Sequence, residues 1–441
     1  MATKKSVFRI QSWTDIEDAG GAEAFIEKEL SRRGVLLPSP RMNIIDIKSE
    51  KEKRKAIADA RIEQKHRREI QAAVHKLRLK TFIHHLGQKI FWDDDIGDTH
   101  FDPYNRRSRI QENDLPPLES LDDLLTFLQQ AVPEIDIPML RSMCSHREVS
   151  SVCHYRQFEI PKKSGGTRKI WAPLPNLKAI QKRIQLEIVE KMTIHGSAHG
   201  FVPGKSIFTN AENHTGSRIV VGVDLRNFFP TFTFPRIKGI FRSYGYPQGI
   251  ATLLALLCTE APRRMLQHGE EILYVAAGPR VLPQGSPASP ALTNVASLRL
   301  DRRLAQYSIN NGWRYSRYAD DLTFSMEDGG SEAPDVRSLL RMVHHVTQSE
   351  GLTVHPNKTH IMSKGRRQEV TGLIVNGSGA PRVPKERRRL LRAALTNAQK
   401  GVQVENGLVL EQLMGHSAFV YAAHPELGRS LLDAFAALLE S

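Results

Sequence analysis

An α+β fold preceded by a separate basic helical zone is what this sequence predicts, on three observations. From about residue 118 onward, short strand-like runs and helices alternate without the βαβ rhythm of a doubly wound parallel sheet. Ile219–Val223, Tyr315–Tyr318 and Leu322–Ser325 are rich in apolar and β-branched residues and read as strands, whereas the stripe Leu177, Ile180, Ile184, Ile188 and Met192 predicts an amphipathic helix over 176–192. Ahead of about residue 115 the chain carries much of its helical charge.

That first zone opens with Thr14-Asp-Ile-Glu17, which has the form of a capping box. The stretch 49–86 reads as one long helix, with Ile70, Val74 and Leu77 on one face and Lys51, Lys53, Arg54, Lys55, Lys65, Arg67 and Arg68 on its polar sides. A loop-like segment follows. Its Asp93, Asp94 and Asp95 have no partner carboxylates or histidines at strand or helix spacing, so they are read as a loop and not as a metal site. Pro116-Pro117 suggests a linker, and zones of 1–115, 116–374 and 375–441 are expected. The last ~55 residues look helical again, with Arg387, Arg388, Arg389 and Arg392 opening a basic helix.

Composition narrows the partners. The 441 residues hold 62 Lys and Arg against 48 Asp and Glu, a net charge of +14 that attracts a polyanion, most often nucleic acid. No apolar run approaches the ~20 residues that span a bilayer, so no membrane partner is expected. The start, MATKKSVFRIQSWTD, lacks the apolar stretch of a secretory signal, and three cysteines cannot form a disulfide framework. A cytoplasmic location is expected. Cys144, His146, Cys153 and His154 lack the C-x₂₋₄-C pairing of a zinc site.

The chemistry centres on Tyr318-Ala-Asp-Asp321, between two short strands, where a tight hairpin would hold two carboxylates at its tip. A third acid, Asp224, ends the apolar run Ile219–Val223, and laying the two strands side by side would bring it against Asp320. Nucleotidyl transfer needs such a set. Two divalent ions about 3.5–4 Å apart activate the attacking hydroxyl and stabilise the leaving pyrophosphate, held by hard oxygen ligands.

On these residues the chain resembles the reverse transcriptase family, and within it the bacterial retron enzymes. The family's Y-[AV]-D-D stands at Tyr318–Asp321 and its strand-ending aspartate at Asp224. The segment 282–290, LPQGSPASP, matches the motif under the incoming base pair, and 160–170, IPKKSGGTRKI, the fingers motif that holds the triphosphate. HPNKT, 355–359, resembles a later palm motif. Asn210-Ala211-x-x-His214 and Val370-Thr371-Gly372 fit the two retron signatures, in the expected order. The resemblance covers roughly residues 120–441.

The resemblance implies a right-hand polymerase: fingers, a palm with an antiparallel sheet, and a helical thumb, with the N-terminal helices as an appendage. It implies two Mg²⁺ ions on Asp224, Asp320 and Asp321, with Lys358 giving a proton to pyrophosphate. Nucleotide contacts fall to Lys163, Arg168, Gln284 and Gly285, and Phe229 would stand beneath the sugar and exclude a 2′-hydroxyl; strand alternation alone does not say whether Phe228 or Phe229 faces the site. Asn210, Ala211, His214, Val370, Thr371, Gly372, Arg388 and Arg392 are candidates for RNA recognition. For His214, local packing is the alternative, since a lone histidine is more often a structural hydrogen-bonder. The implied partners are dNTPs, a cognate structured non-coding RNA primed from a 2′-hydroxyl, its branched RNA–DNA product, a separate effector in anti-phage defence, and a host RNase H, because no segment after the thumb is long enough for one. Rival readings are another bacterial reverse transcriptase (group II intron, diversity-generating or CRISPR-associated) or a non-catalytic RNA-binding scaffold.

Overall fold

The computed structural model describes residues 58–62, 64–65, 85–87, 90–91 and 106–439, apart from 146, 162–165, 269–270, 328–333 and 401–409. The capping box at Thr14–Glu17, Asp93–Asp95 and Lys163 lie outside the described residues. Within the expected 49–86 helix, 58–62 and 64–65 are helical, but the helix does not reach Leu86: β1 (His85–Gly87) pairs antiparallel with β2 (Ile90–Phe91). Gly87 is a poor helix former, and a local hairpin wins over the weak amphipathic pattern there.

The site is positioned by a four-stranded sheet in the order β11–β6–β10–β9, antiparallel at every pairing. Its strands are β6 (Ser217–Leu225), β9 (Arg314–Tyr318), β10 (Asp321–Glu327) and β11 (Val354–Ser363). Two smaller units stand apart from it: the hairpin β4 (Tyr155–Pro161) with β5 (Thr167–Pro173), and a three-stranded sheet of β3 (Val149–Ser150), β8 (Glu271–Ala276) and β7 (Arg263–His268). The hairpin β12 (Glu369–Val370) with β13 (Leu373–Ile374) completes the strands.

Successive side chains of a strand point to opposite faces, and β6 uses both. Val221, Val223 and Leu225 enter the main core, with Ile180, Ile184, Leu253 and Leu254. Val220 enters a second core with Val370, Leu391, Leu413, Val420 and Phe435. Helix Gln248–Cys258 is apolar all round and buried along its length, as expected of a helix inside a core. The main core also takes in Ile110 and Leu115. The second core is built by helices Lys385–Gln399, Leu410–Ala423 and Pro425–Leu439.

The helix expected over 176–192 runs from Pro175 to Glu187, and a 3₁₀ turn, Val189–Lys191, follows. Proline is at home in a first helical turn, where its missing N–H has no partner to lose. The turn tightens the chain without changing its face, so Ile188 and Met192 stay buried beyond the helix end.

Candidate active site

The three aspartates come together through strand register. Cα pairing sets Asp321 opposite Asp224, and the Leu225 N–H donates to the Asp320 carbonyl at 2.9 Å. The expectation that Asp224 would face Asp320 is thus off by one residue. Tyr318 pairs with Asp321, so Ala319 and Asp320 form a two-residue turn and Asp320 stands at the tip, outside the ladder. Such turns match the strand twist when a central residue takes positive φ, and Ala319 does so at φ 56°.

Neighbouring segments hold the turn. The Arg317 guanidinium, fully buried, makes a two-pronged ion pair with Asp301 and donates Nη1–H to the Ala319 carbonyl at 3.1 Å. On the outer side, a Cβ at Gly200 would stand 2.7 Å from the Ala319 nitrogen, so glycine lets the 195–201 loop lie directly on the turn.

Electrostatically the site is an excess of negative charge short of counter-charge. Burial first, then the charges of Asp320 and Asp224, pushes the Asp321 carboxyl up to about 7. Asp320 is raised mainly by burial, with Asp224 adding to it and Arg168 and Lys358 opposing. Lys358 donates to Asp224 at 2.9 Å, and that bond holds its ammonium above the usual lysine range. The ladder between β11 and β6 slips between Val354 and Thr359, and Lys358 lies in this irregular stretch, opposite the end of β6. Among the described residues no three acidic, histidine or cysteine side chains close into a metal cage. Magnesium does not require one: it takes one or two carboxylates and fills its remaining positions with water and phosphate oxygens. Repelling carboxylates with raised affinity for a proton also suit a divalent cation, which relieves the same repulsion.

Around this centre, Phe228 packs inward, 5.1 Å from Phe232 between ring centroids, and Phe229 is half-buried against the same core. Of the two rings, Phe228 is the buried one and Phe229 the more exposed. Arg168 projects from β5, exposed. Gln284 accepts the Trp171 N–H through its carbonyl at 2.8 Å, and Gly285 takes φ 125° with no room for a Cβ, which would meet Ile170 Cγ2 and the Trp171 carbonyl at 2.8 Å. Ser286 continues this seam, donating to Gln181, which donates in turn to the Tyr155 hydroxyl and the Leu257 carbonyl.

Asn210, Ala211 and His214 are fully buried, which excludes direct contact of their side chains with RNA in this structure. His214 Nδ1 lies 2.7 Å from Ser325 Oγ and Nε2 2.7 Å from Ser316 Oγ, and Ser316 donates to Asn210 at 2.8 Å. This chain of bonds ties helix Ile207–Glu212 to β9 and β10 behind the carboxylates. Val370 is buried, while Thr371 and Gly372, at φ 47° and 83°, form the turn between β12 and β13. Thr371 donates its hydroxyl to the Ile207 carbonyl at 3.1 Å, which ties the second signature to the start of the helix that carries Asn210 and Ala211. A groove lined by Asp224, Tyr318, Asp321 and Lys358 at one end reaches Thr371 and Gly372 at the other. Farther on, Arg392 and Arg389 are exposed and Arg388 is half-buried; Arg387 turns inward over the Phe419 ring, beside His416.

Sequence reasoning missed two groups: the Arg317–Asp301 brace, which has no motif, and the loop carrying Gly200 and Phe201, whose glycine-rich pattern alone could have flagged it.

Residues 160–382 match the family model described as reverse transcriptase (RNA-dependent DNA polymerase). The chain is 41% identical over 430 residues to the retron Mx162 reverse transcriptase of Myxococcus xanthus, covering 95% of this chain and 86% of that protein. It is 39% identical to the retron Mx65 reverse transcriptase of the same organism, covering 67% and 68%, and 27% identical to the retron Ec86 reverse transcriptase of Escherichia coli, covering 75% and 92%.

Proposed function

We propose a specific reaction from the premise that this chain belongs to the reverse transcriptase family, in its retron branch, and is an RNA-directed DNA polymerase. It copies a cognate structured non-coding RNA, adding deoxynucleotides first to a 2′-hydroxyl of that RNA and then to the growing DNA end. The product is a branched RNA–DNA molecule. The observation that carries the reading is the β6–β10 register, which brings Asp224 beside Asp321 next to the turn that presents Asp320.

In this reading the four-stranded sheet is the palm, the β4–β5 hairpin belongs to the fingers, and the helices from Lys385 onward form the thumb. Reverse transcriptases work with divalent metal ions; here Asp224, Asp320 and Asp321 would hold two Mg²⁺, whose charge activates the attacking hydroxyl and steadies the leaving pyrophosphate. The protein's own residues position and neutralise. Arg168, with Lys163, draws the triphosphate toward the carboxylates. Lys358, held charged by Asp224, supplies a proton to pyrophosphate. Phe229 closes the space a ribose 2′-hydroxyl would need, and Gly285 lets the backbone approach the base pair. Exposed Arg389 and Arg392 and the overall +14 charge suit the phosphates of a folded RNA, which is read more by shape and unpaired bases than by duplex sequence. A separate effector protein, in anti-phage defence, and a host RNase H complete the scheme.

The test is extension of an RNA-templated primer with labelled dNTPs and Mg²⁺, wild type against the Asp320→Asn/Asp321→Asn double variant, with co-purified nucleic acid sequenced. The expected result is DNA from the wild type alone, as one short species joined to one RNA. Synthesis on any template without such a species would place the chain with another kind of reverse transcriptase. No synthesis on any template, the co-purified RNA included, would leave an RNA-binding scaffold.

A further inference from the structure

The loop 195–205 carries an oddity that the reaction above does not use. Phe201 is 48% exposed and sits at φ 60°, a left-handed conformation that a bulky side chain rarely tolerates. Its ring centroid lies 6.3 Å from that of Phe229 and 6.4 Å from that of Tyr318. It therefore neighbours both the residue assigned to the sugar and the tyrosine of the catalytic hairpin.

The surroundings fix this awkward backbone firmly. Arg317 N–H donates to the Ser197 carbonyl and His199 N–H to the Arg317 carbonyl, each at 2.8 Å, so the loop runs as an extra edge along β9. Asn294 Nδ2–H donates to the Gly200 carbonyl at 2.8 Å, and Lys205 reaches back to the carbonyls of Ala198 and Gly196. Buried His199 is held between Thr209 and Asn213. Gly200 presses against Ala319 with no space for a side chain. Strain that persists because its surroundings over-determine it is typical of ligand-contacting positions. A ring whose task was to fill the core would be buried, whereas half of this one is exposed beside Phe229 and Tyr318.

We propose that Phe201 is a substrate-contacting residue: with Phe229 it forms a continuous apolar wall against which the sugar and base of the incoming deoxynucleotide are held. The proposal rests on the reading of Phe229 as the residue beneath the sugar. Two aromatic rings nearly in contact make the wall wider than one, so the nucleotide is oriented as well as screened for a 2′-hydroxyl. The ring binds and aligns; it moves no proton and holds no metal.

Phe201→Gly separates contact from folding, because glycine accepts φ 60° without strain while removing the ring. The full-length protein on an RNA template would be studied by single-turnover incorporation across a titration of one dNTP and of the matching rNTP, beside Phe201→Tyr and Phe229→Val, with thermal unfolding of each. For Phe201→Gly we expect an unchanged or higher melting temperature, nucleotide affinity weakened about five-fold or more, and a maximal rate within about two-fold of wild type. Its preference for dNTP over rNTP should fall, and Phe201→Tyr should restore both affinity and preference. If Phe201→Gly changes neither affinity nor preference while Phe229→Val admits ribonucleotides, the inference is overturned and the sugar-gate reading survives. If neither variant changes them, both fail. A loss confined to the maximal rate would make Phe201 a support for the hairpin and would also overturn the proposal.

Discussion

Arg317 and Asp301 meet inside the protein as a closed pair: Nε–H to Oδ1 at 2.8 Å and Nη2–H to Oδ2 at 2.7 Å, with both side chains fully buried. Tyr315 donates its hydroxyl to the same carboxylate at 2.8 Å, and the remaining guanidinium nitrogen reaches Asn294 and the Ala319 carbonyl. One cation thus connects helix Leu298–Asn310 to the turn that presents Asp320.

Breaking this pair on one side leaves a buried charge without its partner, which costs about 3–5 kcal/mol. Asp301→Asn should therefore lower the urea midpoint by that equivalent and reduce the polymerisation rate of the fraction still folded. Arg317→Met with Asp301→Leu should recover much of the stability but not the rate, since the bond to the Ala319 carbonyl stays lost. Equal recovery of both would show that the pair serves the fold alone.

Burial holds His214 neutral, its imidazole pushed down to about 3, with the charges of Arg314 and His199 opposing protonation further. The unfolded chain protonates near 6.5, so it binds more protons than the native state below that pH, and stability is lost as pH falls from about 6.5 toward 3. One such group contributes a slope of at most roughly 1.4 kcal/mol per pH unit. His199, pushed down to about 4 by burial, adds a second slope in the same direction. His214→Asn should lower stability at pH 7 by about 1–3 kcal/mol through unsatisfied serines, and should flatten the decline between pH 6.5 and 4. Denaturant midpoints measured across that range decide it; an unchanged slope would show that His214 is not the titrating group.

Gly285→Ala forces a Cβ to 2.8 Å from both Ile170 and the Trp171 carbonyl, in a backbone conformation glycine alone adopts easily. Either β5 or the 282–287 segment must move. Activity is expected to fall by about 10²-fold, the scale of a misplacement near 1 Å, with the melting temperature less affected. Wild-type incorporation by the alanine variant would mean that the close approach is incidental.

Lys358→Met frees Asp224 from its 2.9 Å partner and removes a charge that opposes the raised Asp321. The Mg²⁺ concentration giving half-maximal rate should drop, because the carboxylates then lack their internal cation. The maximal rate should fall by about 10²-fold if the ammonium also donates the proton to pyrophosphate. A lowered Mg²⁺ requirement with an unchanged rate would leave Lys358 as a counter-ion only.

Much of the site could be read from residue types. The strands flanking Tyr318–Asp321 and ending at Asp224 announce themselves by β-branched content, and the structure extends them to Arg314–Tyr318, Asp321–Glu327 and Ser217–Leu225. Their exact pairing could not be read, because a run of Ala-Asp-Asp does not say which aspartate leaves the ladder for the turn. The stripe Ile184, Ile188, Met192 overran its helix because a 3₁₀ turn preserves the buried face while the period changes. Asn210 and His214 are polar and so invited a solvent-facing role; only the serines contributed by β9 and β10, more than a hundred residues away, make their burial tolerable.

The bond from Thr371 to the Ile207 carbonyl bears on how this protein can be recombined. Asn210–His214 and Val370–Gly372 are far apart in the sequence, yet Ala211 and Val370 share one core and Thr371 bonds the helix that carries Asn210, so they act as the two halves of one joint. Exchanging one half with a relative would pair a helix shaped for one turn with a turn shaped for another. Chimeras should be made by transferring both halves together, and a library that recombines between residues 215 and 369 should lose folded members wherever that joint is split.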